Sequence, residues 1–149
     1  MIYSVDTNVL IYAHDEREPV KLMIARDLLA RLSSKRALIA LQVIGEFQFV
    51  LRRKLKLPVP AVAAQARAVY MQYPSFDYDH VCVGQALDDM VLGQLSYWDA
   101  LLLRACDHAG VQVLFSEDMQ DGFRFGGLTI INPFGPEGLS PSAQSVLES

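Results

Sequence analysis

Short apolar runs alternate along the chain with longer stretches in which apolar residues return every three or four positions. Ile2-Tyr3-Ser4-Val5 is β-rich, stops at Asp6-Thr7-Asn8 and is followed at once by Val9-Leu10-Ile11-Tyr12. The first run reads as a strand inside the core. The second reads as a short helix over Asn8–Ala13, capped near Thr7 or Asn8. Pro19 suits the first turn of a helix with Glu18 near its cap. Val20, Ile24, Leu28, Leu29 and Leu32 then keep helical spacing through Ser33. Ala37–Leu41 is a second short strand. Val43, Phe47, Val50 and Leu51 form the stripe of the next helix, which ends in Arg52-Arg53-Lys54-Leu55-Lys56. Beyond the break at Leu57-Pro58-Val59-Pro60, Ala61–Tyr73 is Ala-rich and helical.

Pro74–Tyr78 is irregular or a brief strand. Asp79 is placed to cap a helix over His80–Leu92, with Val83, Leu87 and Met90 facing inward and Gly93 ending it. Ser96-Tyr97-Trp98-Asp99 opens another helix, and Gly110 supplies its stop. Val111–Phe115 and Leu128–Ile131 are the last strands, separated by the polar loop Ser116–Gly122 and a turn at Gly126-Gly127. Strands alternating with long helices predict an α/β fold: a parallel sheet covered by helices on both faces, in three layers, with right-handed crossovers. Residues 1–134 read as one domain. Residues 135–149, rich in Pro, Gly and Ser, read as a flexible tail with room for a helical turn at Ala143–Leu147.

Composition narrows this picture. A chain of 149 residues fits one domain, and 52% hydrophobic with 20% charged residues is globular rather than disordered. No apolar run approaches the about 20 residues that span a bilayer. The N-terminus lacks a basic segment followed by an apolar one, so a secretory signal is not expected. Cys82 and Cys106 are far apart and outside metal-type spacing, which predicts reduced, buried thiols and a cytoplasmic protein. The net charge of −4 argues mildly against nucleic acid as a partner, although basic patches can be local.

Four acids occupy comparable positions: Asp6 after strand one, Glu46 opening the helix after strand two, in its first turn or so, Asp99 at the start of the helix before the next strand, and Asp118 just after that strand. In open α/β sheets, ligands bind at the carboxyl ends of the strands. Carboxylates converging there suit Mg²⁺ or Mn²⁺. Each acid also has a plainer reading. Asp6 can be only a helix cap, Glu46 a solvated acid favoured by the helix dipole, Asp99 part of a capping box with Ser96, and Asp118 and Asp121 ordinary loop residues.

Val5-Asp6-Thr7-Asn8-Val9-Leu10-Ile11-Tyr12-Ala13 resembles the opening of the PIN-domain nucleases. Ser96-Tyr97-Trp98-Asp99-Ala100-Leu101-Leu102 resembles their third acidic motif, Leu114–Gly122 the fourth, and Glu46 matches the second. Within that family the chain is most similar to VapC-type toxins of toxin–antitoxin pairs. The resemblance implies strand order 3-2-1-4-5 and a Mg²⁺- or Mn²⁺-dependent endoribonuclease. It implies Asp6, Glu46, Asp99 and Asp118 as catalytic, metal-holding acids. Asn8 and Ser116 would be supporting hydrogen-bonders and Asp121 an additional acid. A homodimer and a cognate antitoxin covering the acidic groove are implied as partners beside the RNA. Ser116 departs from the family, which more often has Thr there; the hydroxyl is kept. The segment beyond Asn132 lies outside the resemblance.

Arg52, Arg53 and Lys54 are candidates for RNA phosphates or a solvated helix end that complements the dipole. Tyr3, Tyr12, Tyr97 and Trp98 suit either base stacking or core packing. Two rival functions remain. One is phosphotransfer through an aspartyl phosphate on Asp6, disfavoured because Asn8 stands where a second acid is needed and no lysine follows Lys56. The other is a catalytically silent PIN-like module that binds RNA or protein.

Overall fold

The computed structural model describes residues 1–149. Its elements are β1 Tyr3–Val5, α1 Thr7–Tyr12, α2 Pro19–Leu32, β2 Ile39–Ala40, α3 Leu41–Arg53, α4 Val59–Gln72, β3 Ser75–Phe76, α5 His80–Val91, α6 Tyr97–His108, β4 Val113–Phe115, β5 Arg124–Phe125, β6 Leu128–Ile131 and α7 Pro141–Glu148. β1 pairs with β4 and β4 with β6, all parallel, while β5 runs antiparallel to β6. β2 pairs parallel with β3. A parallel bridge between Tyr3 and Ala37 joins the two pieces. The order is therefore β3-β2-β1-β4-β6-β5. The expected parallel order is present, extended by one edge strand.

β1 and β4 are buried at every position, as central strands covered on both faces must be. Phe47, Leu51, Leu28, Leu32, Leu103, Phe115 and Ile130 fill the space between sheet and helices. α3 presents Val43, Phe47 and Leu51 to this core, as its apolar spacing requires. α1 packs against α2 and α3, and α6 lies against β2 and β6.

Several local expectations change. Asp6 itself, not Thr7 or Asn8, is the N-cap of α1. β5 was not visible in the sequence; it pairs through a tight hairpin in which Gly126 takes φ +59°, and a Cβ there would lie 2.7 Å from Asp107 Oδ1. α5 buries Cys82, Ala86 and Asp89; Val83 packs half-buried against that face as expected, while Leu87 and Met90 are exposed, so the inner face is turned from the expected one. Asp89 is tolerated inside because Arg104 pairs with it bidentately at 2.8 Å.

The segment 135–149, read from sequence as a flexible tail, carries helix α7. Ser140 caps it with Pro141 in the first turn, and Ala143 and Leu147 are buried in the main core. The Tyr3 hydroxyl donates to the Val146 carbonyl at 2.8 Å, which ties the helix to the first strand.

Candidate metal centre

β1 stops where the Asp6 N–H bonds to the Phe115 carbonyl at 2.9 Å and the backbone turns into α1. Both oxygens of the Asp6 carboxylate are engaged. Oδ1 accepts from the Thr7 N–H at 2.7 Å and Oδ2 from the Ser116 hydroxyl at 2.8 Å. The cap reading and the site reading thus hold for the same side chain. Ser116, fully buried at the end of β4, also accepts from the Asp118 N–H at 3.3 Å.

Asn8, on the first turn of α1, spans to the loop after β4. Its Oδ1 accepts from the Glu117 N–H at 3.2 Å, and its Nδ2 donates to Asp118 Oδ2 at 3.1 Å and to Ser116 Oγ at 3.4 Å. Glu117 anchors that loop on its far side: Tyr12 OH donates to Oε1 at 2.7 Å and Lys21 pairs with Oε2 at 2.6 Å.

Glu46 lies in the second turn of α3, not at the helix start, so the dipole does not account for it. Thr7 Oγ1 donates to its Oε2 at 2.8 Å. Gln42, one turn earlier, donates from Nε2 to Glu46 Oε1 at 3.4 Å and to the Trp98 carbonyl at 3.1 Å, linking α3 to the start of α6. Gln42 Oε1 is buried without a partner. Asp99 sits in the first turn of α6, and Ser96 Oγ accepts from its backbone N–H at 3.2 Å, so the capping bond is made by the Asp99 backbone.

Asp6, Glu46, Asp99 and Asp118 therefore come from four separate elements to one end of the parallel strands. Their charges are felt. Burial pushes the Asp6 carboxyl up to about 6, against the pull of its Ser116 and Thr7 hydrogen bonds and with a further push from Asp118 and Glu46. Asp99 is raised too, by burial first, against the pull of a Ser96 hydrogen bond and with a further push from Asp118 and Glu46. The donor set fits a hard divalent cation. It is all oxygen, carries unbalanced negative charge, and lies beside an orphaned Gln42 acceptor. No three of the acids bring ligand oxygens within 4.8 Å of one another. A cation that keeps several of its own waters, as Mg²⁺ does, suits that spacing.

Two clefts meet at Asp118. One, of about 510 Å³, is lined by Thr7, Asn8, Glu46 and Lys54 among others; the second, of about 430 Å³, by Gln94, Asp99, Met119 and Phe123 among others. Lys54 thus faces the acids, while Arg52 and Arg53 line neither cleft. Asp121 is bonded elsewhere: its Oδ1 accepts from the Asn132 N–H at 2.8 Å. Tyr3 and Tyr12 are taken up by the core and by the Glu117 anchor, whereas Trp98 is exposed. Sequence reasoning missed Thr7 and Gln42. The only signals were the adjacency of Thr7 to Asp6 and the i,i+4 spacing of Gln42 and Glu46.

The model of the PIN-domain family matches residues 3–124. The chain belongs to the PIN-domain family. Comparison with curated proteins finds no match. Among solved structures, VapC20 of Mycobacterium tuberculosis, described as a toxin that cleaves the sarcin-ricin loop, is similar with TM-score 0.59 and 21% identity, over 78% of this chain and 88% of that one. VapBC2 of Rickettsia felis, bound to a promoter DNA fragment, gives 0.63 and 17%, over 87% and 97%. DNA-bound VapBC of Salmonella typhimurium gives 0.64 and 16%, over 87% and 96%. At these identities the likeness is one of fold, and this PIN-domain chain shares the VapC architecture.

Proposed function

We propose that this PIN-domain protein is a Mg²⁺- or Mn²⁺-dependent endoribonuclease, the toxin of a toxin–antitoxin pair, acting in the cytoplasm as a homodimer. The observation that carries the reading is the convergence of Asp6, Glu46, Asp99 and Asp118 at one sheet edge, with a cleft on either side of Asp118. That two of the similar structures are VapBC complexes supports an antitoxin as the second partner beside RNA.

Asp6, Glu46, Asp99 and Asp118 would hold the cation. When bound, it supplies a Lewis acid that activates water and stabilises the leaving oxygen of a phosphodiester. Asp6 is the rigid member, fixed by Thr7 and Ser116 at the end of a buried strand. Thr7 and Gln42 orient Glu46, and Asn8 orients Asp118. Lys54 at the cleft wall gives the RNA backbone a counter-charge.

The test is cleavage of total RNA by the full chain with Mn²⁺, with and without chelator, beside Asp6→Asn and Asp99→Asn. Cleavage by the wild type alone, abolished by chelator, is expected. Equal cutting by all three proteins would mean a contaminant and overturn the reading. Tight RNA binding with no cutting would favour the silent binding module.

A further inference from the structure

α5 is attached to the body of the protein differently from the other helices. Its buried residues Cys82 and Ala86 meet Ala100 and Leu101 of α6 in a small cluster separate from the main core. Val81, Leu87 and Val91 on its other side are exposed. Besides that cluster, the Asp89–Arg104 pair holds the later turns of the helix against α6. At its first turn stands a group of side chains with no part in the acidic centre: Asp79, Cys82 and His108.

These three offer a carboxylate oxygen, a sulphur and an imidazole nitrogen, all within 4.8 Å of one another. Cys82 Sγ lies 3.5 Å from His108 Nδ1. A tetrahedral Zn²⁺, with Zn–S of about 2.3 Å and Zn–N of about 2.0–2.1 Å, sets sulphur and nitrogen about 3.5 Å apart. The imidazole has a partner on its far side that suits ligation through Nδ1. His108 Nε2 lies 2.9 Å from Gln85 Oε1; in the tautomer protonated at Nε2 it donates there, and the Nδ1 lone pair faces the sulphur. A donor bond from the second ring nitrogen to an oxygen is what orients zinc-binding histidines. Asp79 uses Oδ1 for the Cys82 N–H at 3.0 Å, which leaves Oδ2 available. Asp79 and His108 are exposed while Cys82 is covered, so a cation reaches the sulphur between the other two ligands.

We propose that Asp79, Cys82 and His108 form a second metal site, a three-ligand Zn²⁺ centre completed by water, that clips the start of α5 to the end of α6. Without metal, Cys82 Sγ and His108 Nδ1 already stand at that separation of 3.5 Å. Binding forms the zinc–sulphur bond and releases the thiol proton to solvent. The mixed oxygen, sulphur and nitrogen donors select Zn²⁺ over the hard cations suited to the acidic centre.

The probe is Co²⁺ added to the chelator-stripped full chain, read by the sulphur-to-cobalt charge-transfer band. The expected result is a band that saturates at one equivalent, disappears on adding Zn²⁺, and is absent in Cys82→Ser and His108→Ala. Gln85→Ala should bind about 10–100-fold more weakly. The Asp6→Asn/Asp99→Asn variant should keep the band unchanged, which separates this site from the acidic one. Zn²⁺ should raise the melting temperature of the wild type and not that of His108→Ala, whose exposed position lets the variant fold. No charge-transfer band in the wild type, or an undiminished band in His108→Ala, would overturn the proposal.

Discussion

Thr7 Oγ1 donates to Glu46 Oε2 at 2.8 Å, joining the residue after the first acid to the second acid across 39 positions of sequence. The bond ties the exposed Glu46 of α3 to the start of α1. Thr7→Val keeps the shape and removes the hydroxyl. Loss of such an outer-shell partner costs about 10–100-fold in metal affinity. The same loss is expected here in a Mn²⁺ titration, with Thr7→Ser restoring binding. Wild-type affinity in Thr7→Val would show that Glu46 needs no orientation.

Asp6 links pH to stability. Its carboxyl is raised in the folded protein to about 6 from an ordinary value of 3.8. Below both values the group is neutral in both states and contributes nothing. Between them the unfolded chain releases its proton while the fold retains it, so stability falls as pH rises; above about 6 the full cost remains. By the shift, that cost is on the order of 2–3 kcal/mol. Asp6→Asn, which retains a capping residue, is therefore expected to be more stable than the wild type at pH 7 without metal, with the difference gone well below the ordinary value of 3.8, by urea denaturation. Adding Mn²⁺ should stabilise the wild type and not the variant.

Lys54 lines the cleft beside Glu46 and Asp118, and Arg52 and Arg53 do not. In salt-dependent binding of single-stranded RNA to a cleavage-inactive Asp99→Asn protein, Lys54→Ala should reduce the slope of log K against log salt by about 0.7. Arg52→Ala should leave the slope unchanged. Equal effects would place the RNA backbone along the outer helix end instead.

Leu147 is 4% exposed in α7, inside the main core. Leu147→Ala should cost about 2–5 kcal/mol, as for other buried leucines. A flexible tail would give no change in the urea midpoint.

Much of this was legible in the chain. β1, α2, α3, β4 and β6 were readable because their apolar spacing matches what they bury. α5 was misread because its inner face is Cys82, Ala86 and the ion-paired Asp89, two small residues and a charge that periodicity does not register. Arg124-Phe125 is too short to carry a period. α7 announced itself only through Ser140-Pro141, since just Ala143 and Leu147 are buried. At the site, Asp6, Asn8, Ser116 and Asp118 stand in recognisable runs. Thr7 and Gln42 do not, because their bonds exist only once α1, α3 and α6 are brought together.

The proposed nuclease activity requires acids from four elements to act as one divalent-metal site. Calorimetric titration of Mn²⁺ into the wild type and into Asp6→Asn, Glu46→Gln, Asp99→Asn and Asp118→Asn, in a His108→Ala background, tests it most directly. Saturable binding by the parent and at least tenfold weaker binding in every one of the four variants are expected. Parent-like binding in all four variants, or no binding by the parent, would contradict it.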